Sequence, residues 1–592
     1  MKTDRNRGRE RLIARARSQP ICRHVLRLRY AQAGESSVDD VLRRVARALA
    51  ARELPEERTD WTRQFLKAMR QGFIPAGRIL ACAGTANPRG MINCFVLPLR
   101  PPDVDLNSRK DGADPLDASL RDAVRTMRSG GGVGYDFSFL PSFSPPGTGD
   151  AVRRTDPIGV ILELDRRALR LSNLGPRRAA QMAVLRVDHP DIHAFIAAKR
   201  LHRISTFNLS VAISDQFMEA VRADVDWKLV EPGRTHACQT LRARALWESL
   251  IESMWNTASP GVIFIDQVNR DNNLGTRETL SACNPCGEQY LPEYGACDLG
   301  SIDLVRLVRN PFSRTARIDF ERLAALAAIA VRMLDNVLDL TRWPLARQAQ
   351  QAASTRRIGL GLTGLADALC MMGLRYDRIG GRRMAQRIVC TMRNAAYRAS
   401  ADLAMERGRF PNFDEIGFLQ AGRAASRLPL RLQKRIRQSG LRNSHLLAIA
   451  PAGSISIAFA ANATSGIEPA FAPHMIRRLG SRGGAMTALP SDNLAIRLYR
   501  ALYPHRKGLP PAWCDASGMR AVDHIRMLAA VQPYVDGAIS KTVNLGGRDT
   551  QASLGYALEL AWKRGLKGLA VFRPHSSGRA VLSQQAAPGC TA

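Results

Sequence analysis

The sequence predicts an α/β protein, and three observations lead to that prediction. Short apolar runs at 261–265 and 446–450 are typical of buried strands. Between them, residues 323–340 carry apolar side chains at the spacing of an amphipathic helix. Because strands and helices alternate in this way over about 500 residues, we expect a sheet or a barrel covered by helices.

The N-terminal part of the chain is predicted to be helical. Residues 38–49 repeat apolar side chains at helical spacing, and Ser37 with Asp40 resembles a capping box. A second helix is predicted over 61–70, ending before Gly72. The chain is therefore divided into three parts: a helical N-terminal region (1–74), a catalytic domain (75–578) and a flexible C-terminal tail (579–592).

Composition and charge exclude several classes of protein. No apolar run approaches the roughly 18 residues of a membrane-spanning helix, and the absence of an apolar secretory segment favours the cytoplasm. The formal net charge of +33 is spread along the chain as arginine pairs, and no nucleic-acid-binding motif accompanies it. Nucleic-acid binding is therefore not expected. Eleven irregularly spaced cysteines do not suit a disulfide scaffold of this length.

The most informative motif runs from Asn284 to Glu288 and contains Cys286, with Cys297 eleven residues further on. An amide can orient a hydroxyl, a thiol can become a thiolate or a radical, and a carboxylate can take a proton. An extended backbone would point residues 284, 286 and 288 the same way. Cys283 also makes a C-x-x-C with Cys286, but zinc would need a second pair at suitable spacing. A thioredoxin-like redox site would need a helix to begin at Cys283. The sequence therefore predicts neither a metal site nor a thioredoxin-like site at this motif.

Two small-residue segments each leave two interpretations open. The glycine run at 130–134 allows either close approach to a ligand or close packing of two backbones. It lacks the Lys-Ser/Thr of a P-loop. The segment 451–456 follows an apolar run and suits either an anion or an ordinary turn from strand to helix.

Taken together, these segments resemble the large chain of a ribonucleotide reductase of the adenosylcobalamin-dependent class, ribonucleoside-diphosphate type. The resemblance runs from about residue 29 to about residue 582 and rests on ordered matches at 75–80, 93–98, 129–138, 189–192, 207–210, 284–288, 357–361, 465–469 and 539–542. It implies a ten-stranded α/β barrel with the central cysteine on a finger loop inside it. It also implies reduction of ribonucleotides to 2′-deoxyribonucleotides.

The resemblance implies a role for each residue of the central motif. Cys286 would become a thiyl radical that abstracts the 3′ hydrogen of the ribose. Glu288 would take the proton of the 3′-hydroxyl, and Asn284 would hold the ribose hydroxyls. Cys94 and Cys297 would supply two electrons and become a disulfide. The substrate would be bound by Thr85 and by a loop for its phosphates, made of Ala452, Gly453, Ser454, Ile455 and Ser456.

Adenosylcobalamin is the expected cofactor because the other radical generators lack their motifs. No Tyr-Tyr pair and no C-terminal glycyl-radical motif occurs in the chain, and Val571, Phe572 and Arg573 occupy the late site where a tyrosine is often found. The resemblance further implies a ribonucleoside di- or triphosphate substrate, a nucleotide effector, a thioredoxin-like or other thiol reductant and a homodimer. Two alternatives are a reductase with a separate radical-generating subunit and a catalytically weak nucleotide-binding homologue.

The chain departs from the family pattern in three places. Pro176 and Ala179 replace glycines around Arg177 and Arg178, which stiffens the expected specificity loop and argues against unaltered effector control. A long insertion at 100–115 contains Asp114, where effector contacts would begin. The tail carries only Cys590 where a pair of cysteines is usual, and one thiol cannot by itself reduce a disulfide to two thiols.

Overall fold

The computed structural model describes residues 16, 18–86, 90–99, 115–143, 156–173, 180–480, 486–573 and 582–584. The α-helices of these residues, labelled α1 to α20 in chain order, are Pro20–Arg29, Val38–Ala50, Arg58–Gln71, Gly77–Cys82, Pro115–Arg128, Pro157–Asn173, Ile192–Leu201, Asp215–Ala223, Ala243–Thr257, Ile265–Asp271, Phe320–Leu340, Ala346–Thr355, Leu365–Met371, Ile379–Arg407, Glu415–Phe418, Leu430–Ser439, Gly453–Phe459, Leu494–Leu502, Ala521–Val531 and Gln551–Lys563. No helix among these residues is long and apolar enough to cross a membrane.

The strands of the same residues are labelled β1 to β19. They are Phe73–Pro75, Cys94–Val96, Gly132–Asp136, Gln181–Arg186, Phe207–Ile213, Asp226–Val230, Ala237–Arg242, Gly261–Phe264, Ala282–Cys283, Tyr290–Leu291, Ala296–Asp303, Val308–Arg309, Arg317–Ile318, Ile358–Thr363, Met475–Gly480, Met486–Pro490, Thr542–Asn544, Gly568–Phe572 and Leu582–Gln584.

The main sheet has ten strands and confirms the predicted α/β class. Its order is β1-β11-β2-β3-β4-β5-β8-β18-β17, and β14 pairs with β11 in addition. The run from β2 to β8 is parallel, whereas β11 pairs antiparallel with β2 and β18 pairs antiparallel with β8. Single bridges from Leu360 to Leu447 and from Ile449 to Ile539 connect β14 with the segment that leads into β17.

The predicted strand at 446–450 forms only these two bridges. The carboxylate of Asp536 accepts the N–H groups of Leu446 and Leu447 at 2.9 and 2.8 Å. A side chain therefore takes backbone donors that a neighbouring strand would otherwise use. The predicted strand at 261–265 is confirmed as β8, Gly261–Phe264.

The predicted helices are confirmed, with small differences at their ends. Ser37 is the N-cap of α2. Its hydroxyl accepts a hydrogen bond from the N–H of Asp40, and the Asp40 carboxylate accepts one from the N–H of Ser37, so the predicted capping box is present. α11 begins at Phe320, three residues earlier than predicted, because Asp319 caps it by accepting the N–H of Arg322. α11 is buried along most of its length and packs against β11 and α14.

A buried ion-pair network joins the N-terminal helices to the main domain. Glu53 follows α2, and its carboxylate accepts two bonds from Arg332 of α11, at 2.9 and 2.6 Å. Arg407 and Asn336 also donate to Glu53. Since the Glu53 side chain is 1% exposed, its charge depends on these partners for solvation.

We expect Glu53→Ala to lower the free energy of unfolding by about 3 kcal/mol or more, because it removes the buried carboxylate that Arg332 and Arg407 share. Among the described acidic residues, Arg332 would then be paired only with the half-exposed Glu406. Asp402→Ala is the matched control, since it removes an ion pair with Arg435 in which both side chains are about half exposed. The control is expected to change that free energy by less than about 1 kcal/mol. Denaturant titration measures both, and equal effects would contradict a structural role for the Glu53 network.

Candidate active site

Cys286 lies in a tight turn between two short strands. β9 and β10 pair antiparallel, so the residues between them form the loop of a hairpin, here called the finger loop (284–289). The N–H of Gly287 donates to the carbonyl of Asn284 at 3.0 Å, and Gly287 has a φ of +76°. Pro285 suits the second position of such a turn because its φ is already restricted.

The three side chains of the central motif differ in their exposure to solvent. Cys286 is exposed, whereas Asn284 and Glu288 are buried at 0% and 2% exposure. The expectation that an extended backbone points all three the same way is therefore wrong, because the chain reverses direction between residues 284 and 287.

Two hydrogen bonds attach the finger loop to neighbouring segments, and a bond within the loop holds the side chain of Asn284. The side-chain amide of Asn208 on β5 donates to the carbonyl of Pro285 at 2.9 Å. The N–H of Ala538 donates to the carbonyl of Glu288, also at 2.9 Å. Within the loop, the N–H of Gln289 donates to Oδ1 of Asn284 at 3.1 Å, which holds the Asn284 side chain. The loop is thus attached to β5 on one side and to the segment that leads into β17 on the other.

The glycine run explains how the finger loop comes so close to β3. A Cβ on Gly134 would lie 1.8 Å from the carbonyl oxygen of Cys283, and one on Gly132 would lie 2.9 Å from Cγ of Pro285. Only glycine leaves room for this approach. Of the two interpretations left open for the run, the structure supports close backbone packing.

Glu288 and Asn284 present unpartnered polar atoms inside the protein. Oε2 of Glu288 and Nδ2 of Asn284 are both buried, and neither has a partner of hydrogen-bond geometry among the described residues. Burial raises the pKa of Glu288 to about 7, with nearby Asn284 acting slightly against the shift. A carboxyl with this pKa can exchange a proton near neutral pH, and the amide can donate to a ligand hydroxyl.

Cys94 and Cys297 face each other across β2 and β11. They are register partners in the antiparallel pair, and neither is in a disulfide. Cβ atoms of such partners lie about 4.5–5.5 Å apart, close to the spacing that a disulfide needs. Burial raises the pKa of Cys297, and Cys94, Glu288 and Cys286 lie close enough to raise it further. The fold therefore brings Cys94 close to Cys286, Glu288 and Cys297, which lie within twelve residues of one another.

The predicted phosphate segment lies at the start of α17. Ala452 adopts a left-handed φ of +46° directly before the helix, and the hydroxyls of Ser454 and Tyr30 are 2.5 Å apart. Ser456 contacts Ser465 at 3.2 Å. Thr85 follows α4 and donates to the carbonyl of Cys82 at 2.9 Å. The helical N-terminal region thus supports this segment through Tyr30.

Four predicted site residues, Asp114, Arg177, Arg178 and Cys590, lie outside the described residues, as do Pro176 and Ala179. Their roles stay predictions.

A cavity of about 630 Å³ lies on the exposed side of the finger loop. Pro285, Cys286 and Gly287 form part of its wall, together with Tyr290. The remaining wall comes from β5, β8 and β18, from the segments 202–204, 257–259 and 539–542, and from Met182, Lys199 and Cys283. Sequence reasoning missed Tyr290 and the anchoring contact of Asn208, because nothing in the local sequence says which strand faces the loop.

An α/β domain that gathers three thiols and a buried carboxyl around one loop defines a thiol-dependent oxidoreductase. The chain belongs to the ribonucleotide reductase family. The family model "Ribonucleotide reductase, barrel domain" matches residues 92–572, and "Ribonucleotide reductase, all-alpha domain" matches residues 17–88. The predicted family is confirmed, whereas our domain boundaries stay predictions.

Similar proteins carry related names. The vitamin B12-dependent ribonucleoside-diphosphate reductase of Mycobacterium tuberculosis is 33% identical to this chain, in an alignment that covers 95% of this chain and 80% of the relative. The protein of the same name from Thermoplasma acidophilum is 30% identical, and the alignment covers 86% of this chain and 65% of the relative. The ribonucleoside-diphosphate reductase large chain 2 of Saccharomyces cerevisiae is 26% identical, and the alignment covers 65% of this chain and 48% of the relative.

We expect Gly134→Ala to displace the finger loop, because the added methyl group would overlap the Cys283 carbonyl. The free energy of unfolding should fall by about 1–3 kcal/mol, as for other overpacked sites. Gly547→Ala is the matched control, since nothing lies within 4 Å of its added Cβ. Denaturant titration and the alkylation rate of Cys286 measure the two effects. A Gly134 variant that behaves like the Gly547 variant would contradict the packing argument.

Proposed function

We propose that this chain is an adenosylcobalamin-dependent ribonucleoside-diphosphate reductase. One observation carries the proposal: Cys94 and Cys297 face each other across two strands, close to the loop that bears Cys286 and Glu288. The names of the Mycobacterium and Thermoplasma relatives support the diphosphate substrate and the vitamin B12 cofactor that the sequence predicts.

The cavity beside Cys286 has room for the adenosyl part of the cofactor. A volume of about 630 Å³ is within the usual range of small-molecule sites and suits an adenosyl group. The backbone at Val262 and Gly568 and the aromatic ring of Tyr290 form part of the cavity wall. We assign these residues to holding the cofactor. When bound, adenosylcobalamin supplies the radical that starts the reaction.

In the proposed reaction, each polar group of the site has one task. Cys286 acts as the thiyl radical that takes the 3′ hydrogen of the ribose and later returns it. Glu288 accepts the proton of the 3′-hydroxyl, while Asn284 donates a hydrogen bond to the ribose hydroxyls. The 2′-hydroxyl leaves as water. Cys94 and Cys297 give two electrons and their protons, and a sulfur–sulfur bond forms between them.

We propose that Thr85 and the segment 452–456 bind the substrate phosphates. Gly453 supports this role because nothing occupies the space beside its Cα, so a ligand can approach the backbone there. Asp114, Arg177 and Arg178 are proposed to contact a nucleotide effector in a homodimer.

A thioredoxin-like or other dithiol in the cytoplasm is proposed to reduce the Cys94–Cys297 disulfide, because reduction of a disulfide to two thiols consumes two thiols of the reductant.

The pKa of Glu288 predicts how stability depends on pH. The folded pKa of about 7 exceeds the ordinary value of 4.5, so the folded state binds more protons between these values and loses stability as the pH rises through them. Glu288→Gln should therefore raise the free energy of unfolding by up to about 3 kcal/mol at pH 8 and change it little below pH 4.5. Denaturant titrations at several pH values measure this. A gain that is independent of pH would contradict the assigned pKa.

The direct test is incubation of the full chain with adenosylcobalamin, CDP and dithiothreitol without any added protein. We expect deoxycytidine diphosphate to form, and Cys286→Ser should abolish it. Cys238→Ser is the matched control, because this thiol is exposed on β7 and does not line the cavity. Product that appears only after a second protein is added would favour a separate radical-generating subunit. Full activity of the Cys286 variant would overturn the radical assignment.

A further inference from the structure

The wall of the cavity beside Cys286 has an uneven distribution of charge. Among the described residues that line it are Lys199, His202, Arg203 and Lys541, but no aspartate or glutamate. Lys541 is neutralised by an ion pair with Glu468. Three basic side chains therefore remain at the edge of a cavity that has no acidic side chain in its described wall.

These three side chains come from one place in the fold, which we call the basic rim (Lys199, His202 and Arg203). It lies at the end of α7, where Arg203 is exposed and the other two are half-buried. None of the three forms an ion pair with a described residue, although ion pairs are frequent elsewhere in the described chain. What distinguishes the rim from other basic residues without a described ion pair, such as Arg200, is its place on the cavity wall.

The contacts of Lys199 fix its ammonium group at this edge. Nζ donates to the carbonyls of Ile204 and Phe207 at 2.9 and 2.6 Å. An ammonium has three N–H donors, so one is left for a ligand. Asp165 influences Lys199 electrostatically, but its oxygens accept hydrogen bonds from Ser205 and Thr206 instead. The positive charge therefore lacks a carboxylate in direct contact.

Helix chemistry explains only part of this arrangement. Basic residues stabilise the C-terminal end of a helix through its dipole, and Arg200 already serves there while lying outside the cavity wall. His202 and Arg203 follow the helix and border the cavity. Basic side chains that converge on a concave surface attract an anion, and phosphate groups are the commonest such ligand.

We propose that the basic rim binds the phosphodiester of the cofactor's nucleotide loop. The inference rests on the proposed function, which places the adenosyl group deeper in the same cavity, next to Cys286. The rim lies at the outer edge, where a bulky part of a cofactor too large for the cavity would emerge. A substrate nucleotide carries the same phosphate chemistry, so the test must distinguish the two sources.

The experiment compares binding of adenosylcobalamin and of adenosylcobinamide, which lacks the nucleotide loop and its phosphodiester. Ultrafiltration with the visible absorbance of the corrin measures both affinities on the full chain, independently of turnover. The wild-type protein should bind adenosylcobalamin more tightly than adenosylcobinamide. The double variant His202→Gln, Arg203→Gln should weaken adenosylcobalamin binding about three- to thirtyfold, as expected for the loss of one exposed charge and one half-buried imidazole. Its affinity for adenosylcobinamide should not change.

Arg200→Gln is the matched control, because it removes a charge from the same helix end without touching the cavity wall. It should leave both affinities unchanged. The preference of wild type for adenosylcobalamin should narrow as salt is raised, since partly exposed charges are screened.

Each other outcome has a distinct meaning. If the double variant loses affinity for both corrinoids equally, or for neither, the inference is overturned while the cofactor assignment stands. If it loses affinity for CDP instead, the rim serves the nucleotide, and the assignment to the cofactor is overturned. If wild type binds neither corrinoid, the proposed function itself fails.

Discussion

The site depends on one steric constraint, which is the contact between the finger loop and β3. The carbonyl of Cys283 lies where a side chain of residue 134 would have to be, so the loop can rest on the sheet only because that position is glycine. This contact decides how far the loop reaches into the domain. The bonds from Asn208 to Pro285 and from Ala538 to Glu288 then fix its orientation.

The position of the loop creates two different environments on its two sides. The side that holds Asn284 and Glu288 is buried, which raises the pKa of the carboxyl towards neutrality. The side that holds Cys286 opens to the large cavity. The reaction proposed above would use both environments, with the radical formed on the side of the cavity and the proton moved on the buried side.

The unpartnered atoms of the site are consistent with a place for a ligand. Buried polar atoms are nearly always hydrogen-bonded, because an unmade bond costs about 1–3 kcal/mol. Nδ2 of Asn284 and Oε2 of Glu288 are exceptions that lie two residues on either side of Cys286. Other buried groups of the described chain, such as Asp298, also lack hydrogen-bond partners, so what marks these two atoms is their place beside Cys286 and the cavity.

Helical periodicity, capping and side-chain chemistry are local properties, so the amino-acid pattern was enough to predict the N-terminal helices, the α/β class and the residue types of the central motif. The pattern did not predict the structure at 446–450, where Asp536 competes for the backbone donors. The contact between Cys94 and Cys297, the hold of Asn208 on the finger loop and the position of Lys199 at the cavity of Cys286 all come from the folded arrangement. These contacts join residues far apart in the chain, and their distances follow from strand register and loop packing, which no local pattern encodes.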